Sequence, residues 1–243
     1  MKILIISDVH GRNFWKKPTE DMSQWDKVVF LGDYVDPYDG EASKEDVIPN
    51  LLEIVALKEV YKDKVILLWG NHDCFYWCDP YRRQFDYWSR HDNKRHDDIE
   101  KIFLQHNELF QWAWQYEDFL FTHAGVTNIM ARFFNEELGG VHAIAINKFF
   151  NDPKNQILLA MVSQYRGGGD NSGSILWADI YEHFGKTPNK FIENLYQIFG
   201  HTYSKIPLIT KHFAMLDTGG GLNYLEDGVL KDVNGNKMKI TEL

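Results

Sequence analysis

Eight residues of this 243-residue chain stand out by type and by what precedes them: Asp8, His10, Asp33, Asp36, Asn71, His72, His123 and His201. They are carboxylates, imidazoles and one amide, the groups that bind divalent ions and move protons. All follow short apolar runs: KILII before SDVHGR, KVVFL before GDYVD, VILLW before GNHD, FLF before THAG and YQIF before GHT. Imidazole nitrogen combined with carboxylate and amide oxygen, without a thiolate, suits Mn, Fe or Zn better than Ca, which prefers all-oxygen ligands. Taken singly, each cluster has a plainer explanation. An Asp-x-His after a strand is common; GDYVD alone reads as a turn in which Gly32 supplies φ > 0 and Asp33 caps; a lone His123 or His201 reads as a hydrogen-bonded structural histidine. Five strand-terminal clusters together are harder to dismiss, because so many carboxylates and imidazoles gathered without a cation would leave buried charge unpaired, at several kcal/mol per group.

Convergence of residues so far apart needs a sheet. The β-rich runs Lys2–Ile6, Lys27–Leu31, Val65–Trp69, Phe119–Phe121 and Tyr196–Phe199 supply five strands, and in an open α/β sheet the loops at the carboxyl ends of parallel strands meet in one crevice. Helical spacing of Ile48, Leu51, Leu52 and Val55 predicts a crossover helix within Ser43–Tyr61, with Pro49 near its start. A second helical pattern runs from Asp97 to Gln115 through Ile99, Ile102, Phe103, Leu109 and Phe110. Residues 126–163 read as several short helices. Gly167-Gly168-Gly169 reads as a flexible loop and not a P-loop, since no GK[ST] follows. Near the C-terminus the period changes to two over His212–Leu216, Leu222–Glu226 and Val229–Ile240, with hairpin turns at Asp227-Gly228 and Asn234-Gly235.

A hydrophobic fraction of 44% suffices for one large core, and no compositional break divides the chain. The net charge of −9 disfavours wholesale binding to nucleic acid or an anionic membrane. Only four consecutive apolar residues, Ile3 to Ile6, precede Ser7, too few for a secretory core, and no run approaches the ~18 apolar residues of a membrane span. A soluble, cytoplasmic protein without membrane partners is expected. Cys74 and Cys78 have neither the number nor the spacing of a disulfide framework and are expected to be reduced thiols on one helical face.

The ordered motifs SDVHGR, GDYVD, GNHD, THAGV and GHT, spanning residues 8–202, resemble the D-x-H, G-D-x-x-D, G-N-H-D/E, H-A-G and G-H pattern of the calcineurin-like metallophosphoesterase superfamily. GSILWADI (173–180) and LDTGGGLNYL (216–225) are similar to segments of its phosphoprotein-phosphatase-type, serine/threonine phosphatase-like branch. The resemblance implies an α/β fold: a four-layer α/β/β/α sandwich with a dimetal site at the C-terminal ends of the strands. It would form a single domain over residues 1–243, with an aromatic-rich helical insertion over about 74–115 as a candidate lid. Carried over by position, Asp8, His10 and Asp33 hold one divalent transition metal ion, and Asp33, Asn71, His123 and His201 hold a second, with Asp33 as the bridge. The ions would be Mn, Fe or Zn. His72 takes the place of the family's general acid, with Asp36, and with Asp73 as a further candidate, orienting it. The implied reaction is hydrolysis of a phosphorylated substrate, a phosphoprotein or a nucleotide, by metal-activated water.

Three features bear on substrate. The branch usually reads G-D-x-V-D-R-G, its arginine gripping the substrate phosphate, whereas this chain has Asp36-Pro37-Tyr38; Arg12, Arg82, Arg83 and Arg166 are candidates to replace it, Arg166 the preferred one. Gly200-His201-Thr202-Tyr203 lacks the second histidine of G-H-x-H, as do the phosphatase branch and the dinucleoside tetraphosphate hydrolases, which favours phosphomonoester or nucleotide polyphosphate hydrolysis over nuclease action. The stretch Phe75, Tyr76, Trp77, Tyr81, Arg82, Arg83, Phe85, Tyr87, Trp88, Arg90, Lys94, Arg95 has the ring-and-cation composition of a nucleic-acid surface, but its spacing suits a helix pair covering a sheet edge, and that reading is favoured. A nuclease-type phosphodiesterase and a non-enzymatic metal-binding scaffold stand as the alternatives.

Overall fold

The first strand, β1 (Lys2–Ile6), is buried on both faces: Ile3 and Ile5 enter one apolar cluster, Leu4 and Ile6 another. That double burial makes the run continuously apolar rather than alternating, as expected of a parallel strand covered on both sides. In the computed structural model, which describes residues 1–85, 90–183, 192 and 194–241, the same split recurs in β2 (Lys27–Phe30) and β3 (Val65–Leu68).

A six-stranded sheet runs in the order β11-β10-β1-β2-β3-β4, with β4 at Phe110–Gln111, β10 at Leu222–Glu226 and β11 at Val229–Asp232. Strands β1 to β4 are parallel in that order, while β10 and β11 join antiparallel as a hairpin turning at Asp227-Gly228. A five-stranded sheet runs β5-β6-β7-β9-β8, built from Ala113–Tyr116, Phe119–Thr122, Tyr196–Phe199, Leu208–Ile209 and Phe213–Met215 numbered in chain order, with β6, β7 and β9 parallel. Between the sheets lie Ile3, Ile5, Val29, Leu31, Ile66 and Leu68 from one side and Phe121, Ile198, Ala214 and Leu216 from the other. Each such Ile or Leu withdrawn from water contributes about 1.5–3 kcal/mol.

Helices cover the outer faces. Helix Val47–Tyr61 packs Leu51, Ile54 and Val55 into the outer cluster with Phe30 and Leu67; it opens at Val47, so Pro49 falls in the first turn, where its missing N–H has no intrahelical partner to lose. Over the second sheet, helix Asn128–Leu138 starts at Thr127, whose hydroxyl accepts from the Met130 N–H at 3.2 Å, and stops at Gly139 with φ 73°. Helices Ala143–Phe150 and, in 3-10 form, Pro153–Ala160 follow. Two packed sheets with helices outside make the four-layer α/β/β/α sandwich. No helix among the described residues is long and apolar enough to cross a membrane.

One expectation needs correction. The helical pattern through Gln115 ends early: helix His96–Gln105 gives way to β4 and β5, because Leu109 and Phe110 continue the apolar sum but not the helix, and Phe110 pairs with Leu67 of β3. The rings of the aromatic-basic stretch are largely interior: Tyr76 and Tyr81 are fully buried, Phe75 nearly so, and Trp77 stacks among Trp69 and Trp112. Tyr87 and Trp88 lie outside the described residues. Cys74 and Cys78 are free and buried.

Candidate active site

Every strand that carries a motif ends with a change of backbone direction, and four of the residues there have left-handed backbone. His10, Asp33, Asp36 and His201 have positive φ, 46°, 55°, 57° and 68°, a conformation that L-residues adopt at a cost and that clusters at functional sites. The turned tips approach one another so closely that side chains are excluded. A Cβ on Gly70 would lie 2.2 Å from both the N and Oδ1 of Asp33, and one on Gly200 would lie 2.1 Å from Oδ2 of Asp8. The glycines of GNHD and GHT therefore let a neighbouring loop carry its carboxylate against bare backbone.

Within this space Asp33 is central. Its Oδ1 accepts from the His72 backbone N–H at 3.0 Å, and its Oδ2 lies 3.5 Å from Nε2 of His10 and 3.6 Å from Nε2 of His123. His10 donates Nδ1–H to the Val35 carbonyl and His123 donates Nδ1–H to the Leu31 carbonyl, both at 2.8 Å, so each ring turns an Nε2 lone pair toward Asp33. Nε2 of His123, Nδ1 of His201 and Oδ1 of Asn71 lie within 2.9–3.1 Å of one another. Asp8 completes the group, both its oxygens 3.0 Å from the backbone N–H of His201. Two ligand sets result, Asp8–His10–Asp33 and Asp33–His123–His201, the second with Asn71 alongside.

Electrostatics make the same division. Burial lowers His10 to about 3, outweighing the pull of Asp33, and also depresses His123 and His201, the latter further through Arg166. These imidazoles are neutral at physiological pH, the form that coordinates metal. Burial opposes ionisation of Asp33, but His123, His72 and His10 and the His72 N–H outweigh it and hold the carboxyl at about 2. Asp8 is pushed well up by burial and by Asp217 and Asp33. Converging lone pairs around one ionised carboxylate, with a second carboxyl held up for want of a counter-charge, fit a divalent cation in each set.

Beside these sets His72, only 6% exposed, donates Nδ1–H to Oδ2 of Asp36 at 2.7 Å, and the Tyr76 hydroxyl donates to the other oxygen of Asp36. Nε2 is thereby the ring atom of His72 that points away from Asp36, and His72 lines a cavity of about 410 Å³ with Phe85, Val162, Arg166 and Trp177. Asp73 does not orient His72: its carboxylate accepts from the backbone N–H groups of Gly70 at 2.9 Å and of Asp33 and Tyr34 at 2.8 Å each. It ties the tip of β3 to the tip of β2. Arg12 is engaged by its neighbours, donating to the Asp8 and Val9 carbonyls and pairing with Glu41 at 2.8 Å. Arg166 reaches the cavity, its Nε 3.2 Å from Asp179 and Nη2 donating to Thr202. Sequence reasoning did not place Arg90 here. Its guanidinium donates to the Asp36 carbonyl and to Nε2 of His72, both at 2.8 Å, and stacks 3.6 Å over the Tyr38 ring.

Comparison with known proteins bears on this arrangement. No curated protein matches the chain. Among solved structures, the cold-active protein-tyrosine phosphatase of a psychrophile, Shewanella sp., is similar with a TM-score of 0.59 at 17% identity, covering 99% of this chain and 80% of its own. A point mutant of a cold-active protein tyrosine phosphatase gives 0.63 at the same identity and coverage. A protein serine/threonine phosphatase from Saccharomyces cerevisiae gives 0.56 at 16% identity, covering 100% and 81%. At these identities the likeness is one of fold. The family model for the calcineurin-like phosphoesterase matches residues 1–205, a stretch that includes every ligand-bearing tip from Asp8 to His201. With that match and the two-sheet frame that gathers those tips, the chain belongs to the calcineurin-like phosphoesterases, phosphoester hydrolases that work with divalent metal ions.

Proposed function

We propose that this chain is a dinuclear metal-dependent phosphomonoesterase of serine/threonine protein-phosphatase type. The observation that carries the reading is the position of Asp33, whose carboxylate faces both His10 and His123 and so belongs to both ligand sets. Asp8, His10 and Asp33 would hold one ion and Asp33, Asn71, His123 and His201 the other, with Mn, Fe or Zn suited to the donors. When bound, the ions neutralise phosphoryl oxygens and activate water as the nucleophile near neutral pH.

The chain's own residues supply the rest. Asp36 fixes the His72 ring through Nδ1, and Nε2, which accepts from Arg90, would give a proton to the departing oxygen once the ring is protonated and that contact yields. Tyr76 and the Arg90 contact to the Asp36 carbonyl hold that carboxylate in turn. Arg166, paired with Asp179, edges the cavity that receives the group beyond the ester oxygen. The absence of a second histidine after His201 supports monoester over diester cleavage. Metal analysis after reconstitution, with parallel assays on a phosphoserine peptide, a dinucleoside polyphosphate, a simple diester and single-stranded DNA, tests the proposal. Two equivalents of metal with preferred monoester turnover are expected. Preferred turnover of the polyphosphate, the diester or DNA would replace the substrate class, and failure to bind metal would remove the mechanism.

A further inference from the structure

The sequence lacks an arginine after Asp36, where Pro37 and Tyr38 stand. Yet the structure brings a guanidinium to that place from another element. Arg90 follows helix Asp79–Arg82 in sequence, and its Nη1 donates to the carbonyl of Asp36, the residue just before the missing arginine. Its plane lies on the ring of Tyr38, which itself stands edge-on to His10 at 5.2 Å. Its Nη2 is 2.8 Å from Nε2 of His72. Arg90 is therefore fixed on three sides at the mouth of the ligand cluster.

Its charge balance differs from that of its neighbours. Arg12 is paired with Glu41, Arg82 and Arg83 with Asp79, Arg95 with Asp92 and Glu45, and Arg166 with Asp179. Among the described residues no carboxylate pairs with Arg90. A guanidinium has five N–H donors and cannot shed its charge, so one held by a carbonyl, an imidazole lone pair and a ring face retains donors and a full positive charge for an anion. The left-handed backbone of Arg90, φ 66°, is a further cost accepted at this position.

We propose that Arg90 is the substrate-phosphate-binding arginine of this chain, supplied by the segment between β3 and β4 instead of the loop after β2. The inference rests on the phosphomonoesterase reading above. Arg90 holds the Nε2 edge of His72, and a phosphoryl oxygen arriving there accepts from the guanidinium donors that the Asp36 carbonyl and the imidazole leave over. The Tyr38 ring under Arg90 fixes the orientation of its planar fork, a geometry an ammonium cannot reproduce.

The test uses the metal-reconstituted full chain and inorganic phosphate as probe. Arg90→Ala should weaken phosphate binding measured by calorimetry, and raise KM for p-nitrophenyl phosphate, by about 10- to 100-fold, the range for one lost charge-assisted hydrogen bond. Metal content and melting temperature should stay at wild-type values. Arg90→Lys should recover only part of the loss. Arg83→Ala, at an exposed arginine paired with Asp79, should change nothing. If wild type binds phosphate and Arg90→Ala leaves affinity and KM within twofold, the assignment to Arg90 is overturned and the phosphomonoesterase reading stands. If Arg90→Lys restores both in full, the planar fork is not required and the stacking argument is overturned. Failure of the metal-loaded wild type to bind phosphate or turn over a monoester would overturn both.

Discussion

Replacing His72 by Asn isolates proton donation from metal binding. His72 donates Nδ1–H to a carboxylate that is 1% exposed, at 2.7 Å, so the ring is locked and its Nε2 is the atom that can reach the leaving oxygen. Its backbone N–H, which supports Asp33 at 3.0 Å, survives the substitution, so the metal ligands keep their scaffold. A general acid contributes about 10²–10⁴-fold, weighted by how badly the departing group needs the proton. The alkoxide leaving a phosphoserine is strongly basic, and its hydrolysis should fall by that whole range. p-Nitrophenolate is stable at neutral pH, and its release should fall by less than about tenfold. The assay is kcat on both substrates with metal content measured on the same preparations. Equal losses on the two substrates with metals retained would refute proton donation and assign His72 to holding the phosphoryl oxygens.

Asp33→Asn should cost more metal and activity than Asn71→Asp, because it removes the charge facing both His10 and His123; its loss should exceed the roughly 10–100-fold that removal of a supporting partner costs a metal site. Full metal content in Asp33→Asn by elemental analysis would disprove the bridge. Gly200→Ala places a methyl 2.1 Å from Oδ2 of Asp8; denaturant unfolding should show a loss of about 1–3 kcal/mol, together with reduced metal content. A variant that binds metal normally would show that this close approach is not needed. Since burial holds His10 at about 3, its lone pair stays unprotonated as pH falls from about 7.5 to about 5.5, across the ordinary imidazole titration. Metal should therefore be retained over that interval, and half-loss near the unperturbed imidazole value of about 6.5 would contradict the burial argument.

Much of the site was legible because each ligand sits directly after an apolar run. Lys2–Ile6 and Tyr196–Phe199 are the observed strands residue for residue, and their neighbours differ by one position. What failed to show is what depends on distant geometry. Asp73 neighbours His72 in sequence, which suggested an orienting carboxylate; at the start of a helix its oxygens instead meet the N–H groups of Gly70, Asp33 and Tyr34. Arg90 was visible only as one cation among rings, because nothing in the spacing of residues 74–115 says that the chain returns to Tyr38. The β4–β5 region was misread because Phe110 fits a helical stripe as well as a strand edge, and pairing with β3 decided it.

The ligand sets differ in which layer of the sandwich they join. Asp8, His10 and Asp33 follow β1 and β2, whereas the set around His123 and His201 takes Asn71 and Asp33 from the first sheet and both imidazoles from the second. An ion in the second set would therefore staple the two sheets at one end, and its affinity would become part of the folding equilibrium. At a free-ion concentration one hundred times the dissociation constant that linkage amounts to about 2.7 kcal/mol, comparable to one or two of the buried aliphatic side chains between the sheets. Depletion of the ion would thus loosen the seam between the layers as well as silence the chemistry at its rim, so conformational stability and turnover would rise and fall with the same metal supply.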